Sequence, residues 1–202
     1  MMSAGLARSI LVAAFAFTIA ACGAAPAEES QASAVAAQDV VDPGPAPIPN
    51  FEKVRDGLYR GGHPDAEGLD YLKTIGVKTI IDLEVGDFIE AYPWSITEEM
   101  DGAADRGISL LRQPMSAFEP AVFGVLDGKI DAIMAMLSDP SQGPFYVHCL
   151  HGQDRTGLVI GLERVLIENW APQDAHDEMV RLGFHTFFIG LDGYFTRKSG
   201  WE

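Results

Sequence analysis

The sequence predicts an α/β domain: a central, mostly parallel sheet flanked by helices. Three observations carry that reading. Val77–Leu83 (VKTIIDL) and Phe145–His148 (FYVH) are short runs of the kind buried on both faces of a sheet. Segments of helical period alternate with them; in Gly128–Leu137 the residues Ile130, Ile133, Met134 and Leu137 fall on one face. Glycine and proline stand where elements should begin and end.

Taken in order, Val54–Tyr59 reads as a strand ended by Gly61-Gly62. Asp65 caps a helix over Ala66–Thr74, closed by Gly76. Val77–Leu83 is the next strand, Thr97–Arg106 a helix stopped by Gly107, and Ile108–Leu111 a strand. Asp127 caps Gly128–Leu137, and Phe145–His148 follows as a strand. Thr156–Trp170 is helical and apolar enough to be buried. Pro172 opens a helix over Gln173–Leu182 with Gly183 after it, and a last helix covers Phe188–Arg197.

Ahead of this domain, residues 1–21 read as an export signal. Arg8 supplies a positive start, and the apolar run Ile10 to Ala21 is too short to span a bilayer. It leads into Ile19-Ala20-Ala21-Cys22-Gly23, which resembles the bacterial lipobox; cleavage before Cys22 would leave a lipidated first residue. An ordinary cut near Ala27 is the other reading. Residues 22–49 are rich in Ala, Pro, Ser, Gln and Glu without apolar period, and read as a disordered tether. The folded domain is then 50–202. The lipobox reading places the chain in the periplasm, anchored to the outer membrane, with membrane contact only through Cys22.

A formal net charge of −15 argues against nucleic acid as a partner. Any anionic substrate must be attracted locally. The sequence holds two cysteines, Cys22 and Cys149. If Cys22 carries lipid, Cys149 remains a lone thiol in a compartment where thiols oxidise, and catalysis is a reason to keep it.

The chemistry concentrates in Cys149-Leu150-His151-Gly152-Gln153-Asp154-Arg155-Thr156-Gly157, which joins a strand to a helix. Such a loop turns its backbone N–H groups inward, and the following helix aims its positive end at the same point. A phosphate fits there, lined by residues 150–156. Five residues separate Cys149 from Arg155. Both can therefore face one anion, with Arg155 gripping two oxygens. The same field favours a thiolate as nucleophile, and Thr156 is placed to offer the sulfur a hydroxyl.

His148-Cys149, five residues, then Arg155-Thr156-Gly157 resembles the signature of the protein-tyrosine and dual-specificity phosphatase superfamily. The resemblance implies a single phosphatase domain that hydrolyses phosphate monoesters through a phosphocysteine intermediate, with no metal or other cofactor. A rhodanese-like loop also carries a catalytic cysteine, but the five-residue gap and the Arg-Thr-Gly ending favour the phosphatase. Gly57-Leu58-Tyr59-Arg60-Gly61-Gly62-His63-Pro64 and Tyr71–Leu83 resemble the start of the atypical enzymes of bacteria, plants and fungi. Trp170, Ala175, Glu178-Met179 and Gly183-Phe184 resemble their end. Gly62 and His63 depart in part from the usual pattern.

The general acid is the open point. Most of the superfamily uses an aspartate on a separate loop, but Gln113–Pro120 holds none. Asp154 is the first candidate, since the resemblance to myotubularin-like lipid phosphatases implies an acid at that place; Glu119 and Asp127 are the others. His148 is read as orienting the loop through the backbone, and His151 as facing outward. Arg60 and His63 are read as charge at the mouth or plain surface, and Phe187, Phe188 and Tyr194 as packing. Phosphoproteins, phosphoinositides and inositol phosphates all suit the loop. A phosphate-binding module with little turnover is the rival of another class.

Overall fold

The computed structural model describes residues 44–86, 96–117 and 125–201. Among these residues five strands form one sheet: β1 (Glu52–Arg55), β2 (Leu58–Gly61), β3 (Thr79–Asp82), β4 (Ser109–Arg112) and β5 (Phe145–His148), in the order β1-β2-β5-β3-β4. Among the described strands only the β1–β2 pair is antiparallel; β2–β5, β5–β3 and β3–β4 are parallel. β5 therefore lies in the middle, with Val147 opposite Arg60 on one side and Ile81 on the other.

Side chains alternate across a strand, and both faces of β3 and β5 are used. Ile81, Phe145 and Val147 join a core under α3 (Val125–Leu137), α4 (Asp154–Leu166), α5 (Pro172–Arg181) and α6 (Ile189–Ser199). Ile80 and Tyr146 join a second core under α1 (Ala66–Thr74) and α2 (Ile96–Asp105). The result is helix, sheet, helix, with every residue of β3 and β5 buried. α4 is buried continuously from Arg155 to Arg164. Its Leu158, Val159, Ile160 and Leu162 each contribute about 1.5–3 kcal/mol of apolar burial, an upper bound. Buried Glu163 is answered by Arg55 Nε at 2.6 Å, which ties α4 to β1.

Several boundaries differ from the sequence expectation. The segment read as one strand over Val54–Tyr59 is the hairpin β1–β2, turned at Asp56-Gly57 with Gly57 at φ +76°. Gly61 ends β2 from within rather than stopping it from outside. Ile48 is buried and Pro49 O accepts from Gly62 N, so packing begins inside the stretch read as tether. α3 starts at Val125, so Asp127 lies in its first turn and does not cap it. α4 starts at Asp154, and after Leu166 the amides of Ile167, Glu168 and Trp170 fold back onto Glu163 O and Arg164 O. Phe187 is exposed, its ring packing only on Phe188 and His185 among the described residues, whereas Tyr194 is fully buried.

Candidate active site

The site forms where β5 ends and α4 begins, between the carboxyl ends of β2 and β3. This is the position at which open α/β sheets place ligands. β5 delivers Cys149 buried and as a free thiol. The chain then loops through residues 150–153 and enters α4 at Asp154. Gln153 stands at the helix N-cap but makes no capping bond, so the first-turn N–H groups are left for an anion. Arg155 is buried, and its Nη1 lies 3.5 Å from Leu83 O, which directs the guanidinium across the loop toward β3.

The loop is held from beneath by β2 and the segments beside it. Arg60, fully buried, donates from Nη2 to Gly152 O at 2.5 Å. Asn50 Nδ2 reaches the same carbonyl at 3.0 Å and Leu182 O at 2.9 Å. His63 N donates to Leu150 O, and Tyr146 Oη donates to Gly62 O. Gly152 sits at φ +69°, where a Cβ would come within 2.3–2.6 Å of Gly61 C, Gly61 O and Gly62 N. Those atoms are backbone and cannot step aside, so glycine is required both by conformation and by space. Burial pushes the Arg60 guanidinium below its usual range, and the nearby sulfur of Cys149 opposes that. A cation is thus fixed beneath the loop that follows Cys149.

Below Cys149 lies a buried charged group. His148 Nε2 is 2.9 Å from Glu99 Oε1, and its Nδ1 is 3.5 Å from Glu84 Oε1. His63 Nδ1 is hydrogen-bonded with Glu84 Oε1 at 2.9 Å. Burial would lower His148, but Glu99, then Glu84, hold it well above the ordinary histidine range. Burial would raise Glu84, yet the adjacent His148 and the bond with His63 hold it well below the usual carboxylate range. Asp82 is pushed up by burial although it accepts from Glu84 N at 2.7 Å and Arg112 Nε at 2.8 Å.

Several sequence-predicted residues land elsewhere than expected. His148 faces carboxylates, not backbone, and Arg60 and His63 are buried rather than at the mouth. Thr156 Oγ1 is buried without a hydrogen-bond partner among the described residues, so it does not engage the sulfur here. His151 is exposed, as read. Asp154 accepts from His185 N at 2.8 Å and faces His185 Nδ1 at 3.0 Å. Asp127 accepts from Tyr194 Oη at 2.8 Å, with Lys198 Nζ at 3.7 Å. Glu119 lies outside the described residues. The sequence reading missed Glu84, Glu99 and the clamping role of Arg60; Arg60 did carry a signal, as an arginine inside a strand with no partner near it in sequence.

A thiol at the bottom of an amide-lined turn, with a guanidinium opposite, is arranged to accept a tetrahedral dianion and attack it through sulfur. That chemistry and this fold define a cysteine-dependent phosphatase, a phosphoric monoester hydrolase. The chain belongs to the tyrosine phosphatase family, whose pattern matches residues 45–186. It is 27 % identical over 153 residues to inositol diphosphatase DSP2 of Oryza sativa subsp. japonica, covering 75 % of this chain and 71 % of that protein. It is 28 % identical to the dual specificity protein phosphatase TpbA of Pseudomonas aeruginosa, covering 68 % of this chain and 56 % of TpbA. The crystal structure of the core catalytic domain of the PP-IP phosphatase SIW14 from S. cerevisiae superposes with a TM-score of 0.57 at 26 % identity, covering 76 % of this chain and 91 % of that one.

Proposed function

We propose that the chain removes single phosphate groups from aryl or peptide carriers, and that inositol pyrophosphates are poor substrates. One observation carries this reading: the scarcity of free cations around the loop. Recognising a polyphosphorylated ring calls for several lysines or arginines beyond the one that grips the reacting group. Residues 87–95 and 118–124 contain no Lys or Arg, and no lysine lies between Lys129 and Lys198. Arg112 is engaged by Asp82 and Glu84 O, and Arg60 is buried beneath the loop. The relatives' names span both substrate classes, so the loop itself does not choose between them.

In the reaction, the Cys149 thiolate attacks phosphorus while Arg155 and the loop amides hold the other oxygens. The ester oxygen leaves with a proton from Asp154, the acid we assign at the start of α4. Water then cleaves the phosphocysteine, releasing inorganic phosphate and restoring the thiolate. A panel of phosphotyrosine peptides, phosphoinositides and inositol pyrophosphates tests the substrate class. The expected kcat/KM for the best peptide exceeds that for any inositol pyrophosphate by at least ~10-fold, about 1.4 kcal/mol. The reverse order overturns the reading. We also assign the leader to export with lipid at Cys22, supported by the Ile19–Gly23 pattern. The wild type should then fractionate with membrane and Cys22→Ser should not; equal solubility of both refutes the anchor.

A further inference from the structure

On the sheet face covered by α1 and α2, four titratable side chains that the phosphatase reaction does not use converge from four segments. His63 comes from the β2–α1 connection, Glu84 from beyond β3, Glu99 from α2 and His148 from β5. Their side chains are 4 %, 6 %, 0 % and 0 % exposed. Donor atoms of His63, Glu99 and His148 all lie within 4.8 Å of one another.

The hydrogen bonding of this group is incomplete. Among the described residues, neither oxygen of Glu99 and neither ring nitrogen of His148 has a partner in hydrogen-bond geometry, although His148 Nε2 and Glu99 Oε1 are 2.9 Å apart. An imidazolium serving as the counter-ion of Glu99 would aim its N–H at the oxygen. Approach without alignment leaves the ring nitrogen and the carboxylate oxygen both unsatisfied, within 4.8 Å of a donor atom of His63. A buried carboxylate left without donors is costly, and in native proteins such a group signals a water or an ion.

We propose that His63, Glu99 and His148 form a site for a divalent transition metal, zinc being the best match to two imidazoles and a carboxylate. Tetrahedral zinc with bonds near 2.0–2.1 Å sets neighbouring ligand atoms about 3.3 Å apart, a spacing this cluster reaches with small side-chain shifts. Glu84 is the outer carboxylate that orients the rings, 2.9 Å from His63 Nδ1 and 3.5 Å from His148 Nδ1. The charges close: two neutral imidazoles, two carboxylates and one 2+ ion sum to zero, with protons released as the metal binds. Since every ligand is buried, the site is structural rather than catalytic. It ties the β2–α1 connection and α2 to β5, one residue before the nucleophile.

The test uses the full chain, without a polyhistidine tag, carrying Cys149→Ser so that the loop thiol cannot bind metal. After incubation with Zn²⁺ and gel filtration, elemental analysis should find about one zinc per chain, and EDTA should lower the thermal midpoint. Co²⁺ in place of zinc should give visible d–d bands without thiolate-to-cobalt charge transfer, which assigns the metal to imidazole and carboxylate rather than to either cysteine. Glu99→Gln should lose the zinc; if that variant fails to fold, the cobalt spectrum still decides. Less than about a tenth of an equivalent of zinc, with a midpoint indifferent to Zn²⁺ and EDTA, overturns the site. A thiolate charge-transfer band does so equally.

Discussion

Cys149→Ser is expected to lower kcat by on the order of 10⁶-fold, the scale seen when a covalent enzyme loses its nucleophile, while inorganic phosphate still binds. The reason is local. Serine fits the space of cysteine, so the Gly152 turn, the Arg60 and Asn50 bonds to Gly152 O, and the uncapped first turn of α4 all persist. What is lost is the sulfur proposed as nucleophile, since a serine hydroxyl is a far weaker one at the same place. Steady-state hydrolysis of a chromogenic aryl phosphate and calorimetric titration with phosphate measure the two halves separately. Residual turnover above about 1 %, under 3 kcal/mol of lost barrier stabilisation, means that the reaction does not pass through Cys149. A wild-type chain that binds phosphate but fails to cleave the aryl ester would be a binding module instead.

Asp154→Asn is expected to slow hydrolysis of alkyl phosphates by ~10²–10⁴-fold, or roughly 3–5 kcal/mol, and of activated aryl phosphates far less. An alkoxide cannot leave without a proton, whereas a good aryl leaving group can. The position supports the assignment: Asp154 opens α4 beside Arg155, and of the two candidates among the described residues it is the one on the loop itself. Asp127 instead meets Tyr194 and Lys198 of α6. The competing role is also visible, since Asp154 Oδ1 receives both N and the ring of His185 and so ties the loop to the segment after α5. Equal losses on both substrate types, reproduced by His185→Ala, would make Asp154 a tether. A loss that depends on the leaving group in Asp127→Asn or Glu119→Gln would move the acid to that residue.

The parts of this architecture that follow local rules were legible in the sequence. α1 runs over Ala66–Thr74 with Asp65 accepting from Gly68 N, as a capping aspartate should, and β5 covers the expected Phe145–His148. The Cys149–Arg155 spacing announced the loop because strand, turn and helix geometry act over adjacent residues. The β1–β2 hairpin was missed even though Asp56-Gly57 is a strong turn signal. Its strands are only four residues each and slip register between Lys53 and Arg55, so no clean alternation marks them. The charged group under Cys149 was invisible for a different reason. Glu84 follows a strand, Glu99 lies in a helix with acidic neighbours, and His63 follows a glycine pair; each looks like surface until the sheet brings them to His148. The clamp on the loop was hidden likewise, since Arg60 and Gly152 are far apart in sequence and meet only because β2 pairs with β5.

The central place of β5 bears on how this enzyme ages and fails. β5 is paired along both edges and buried on both faces, so its amides are expected to exchange with solvent only on global unfolding. Cys149, the proposed nucleophile, follows the last residue of that strand. Fraying at the periphery, such as the edge strand β4 or the exposed tip at Phe187, leaves it in register. On heating, inactivation and loss of the fold are therefore expected to share one midpoint, which activity and circular dichroism followed on the same ramp would check.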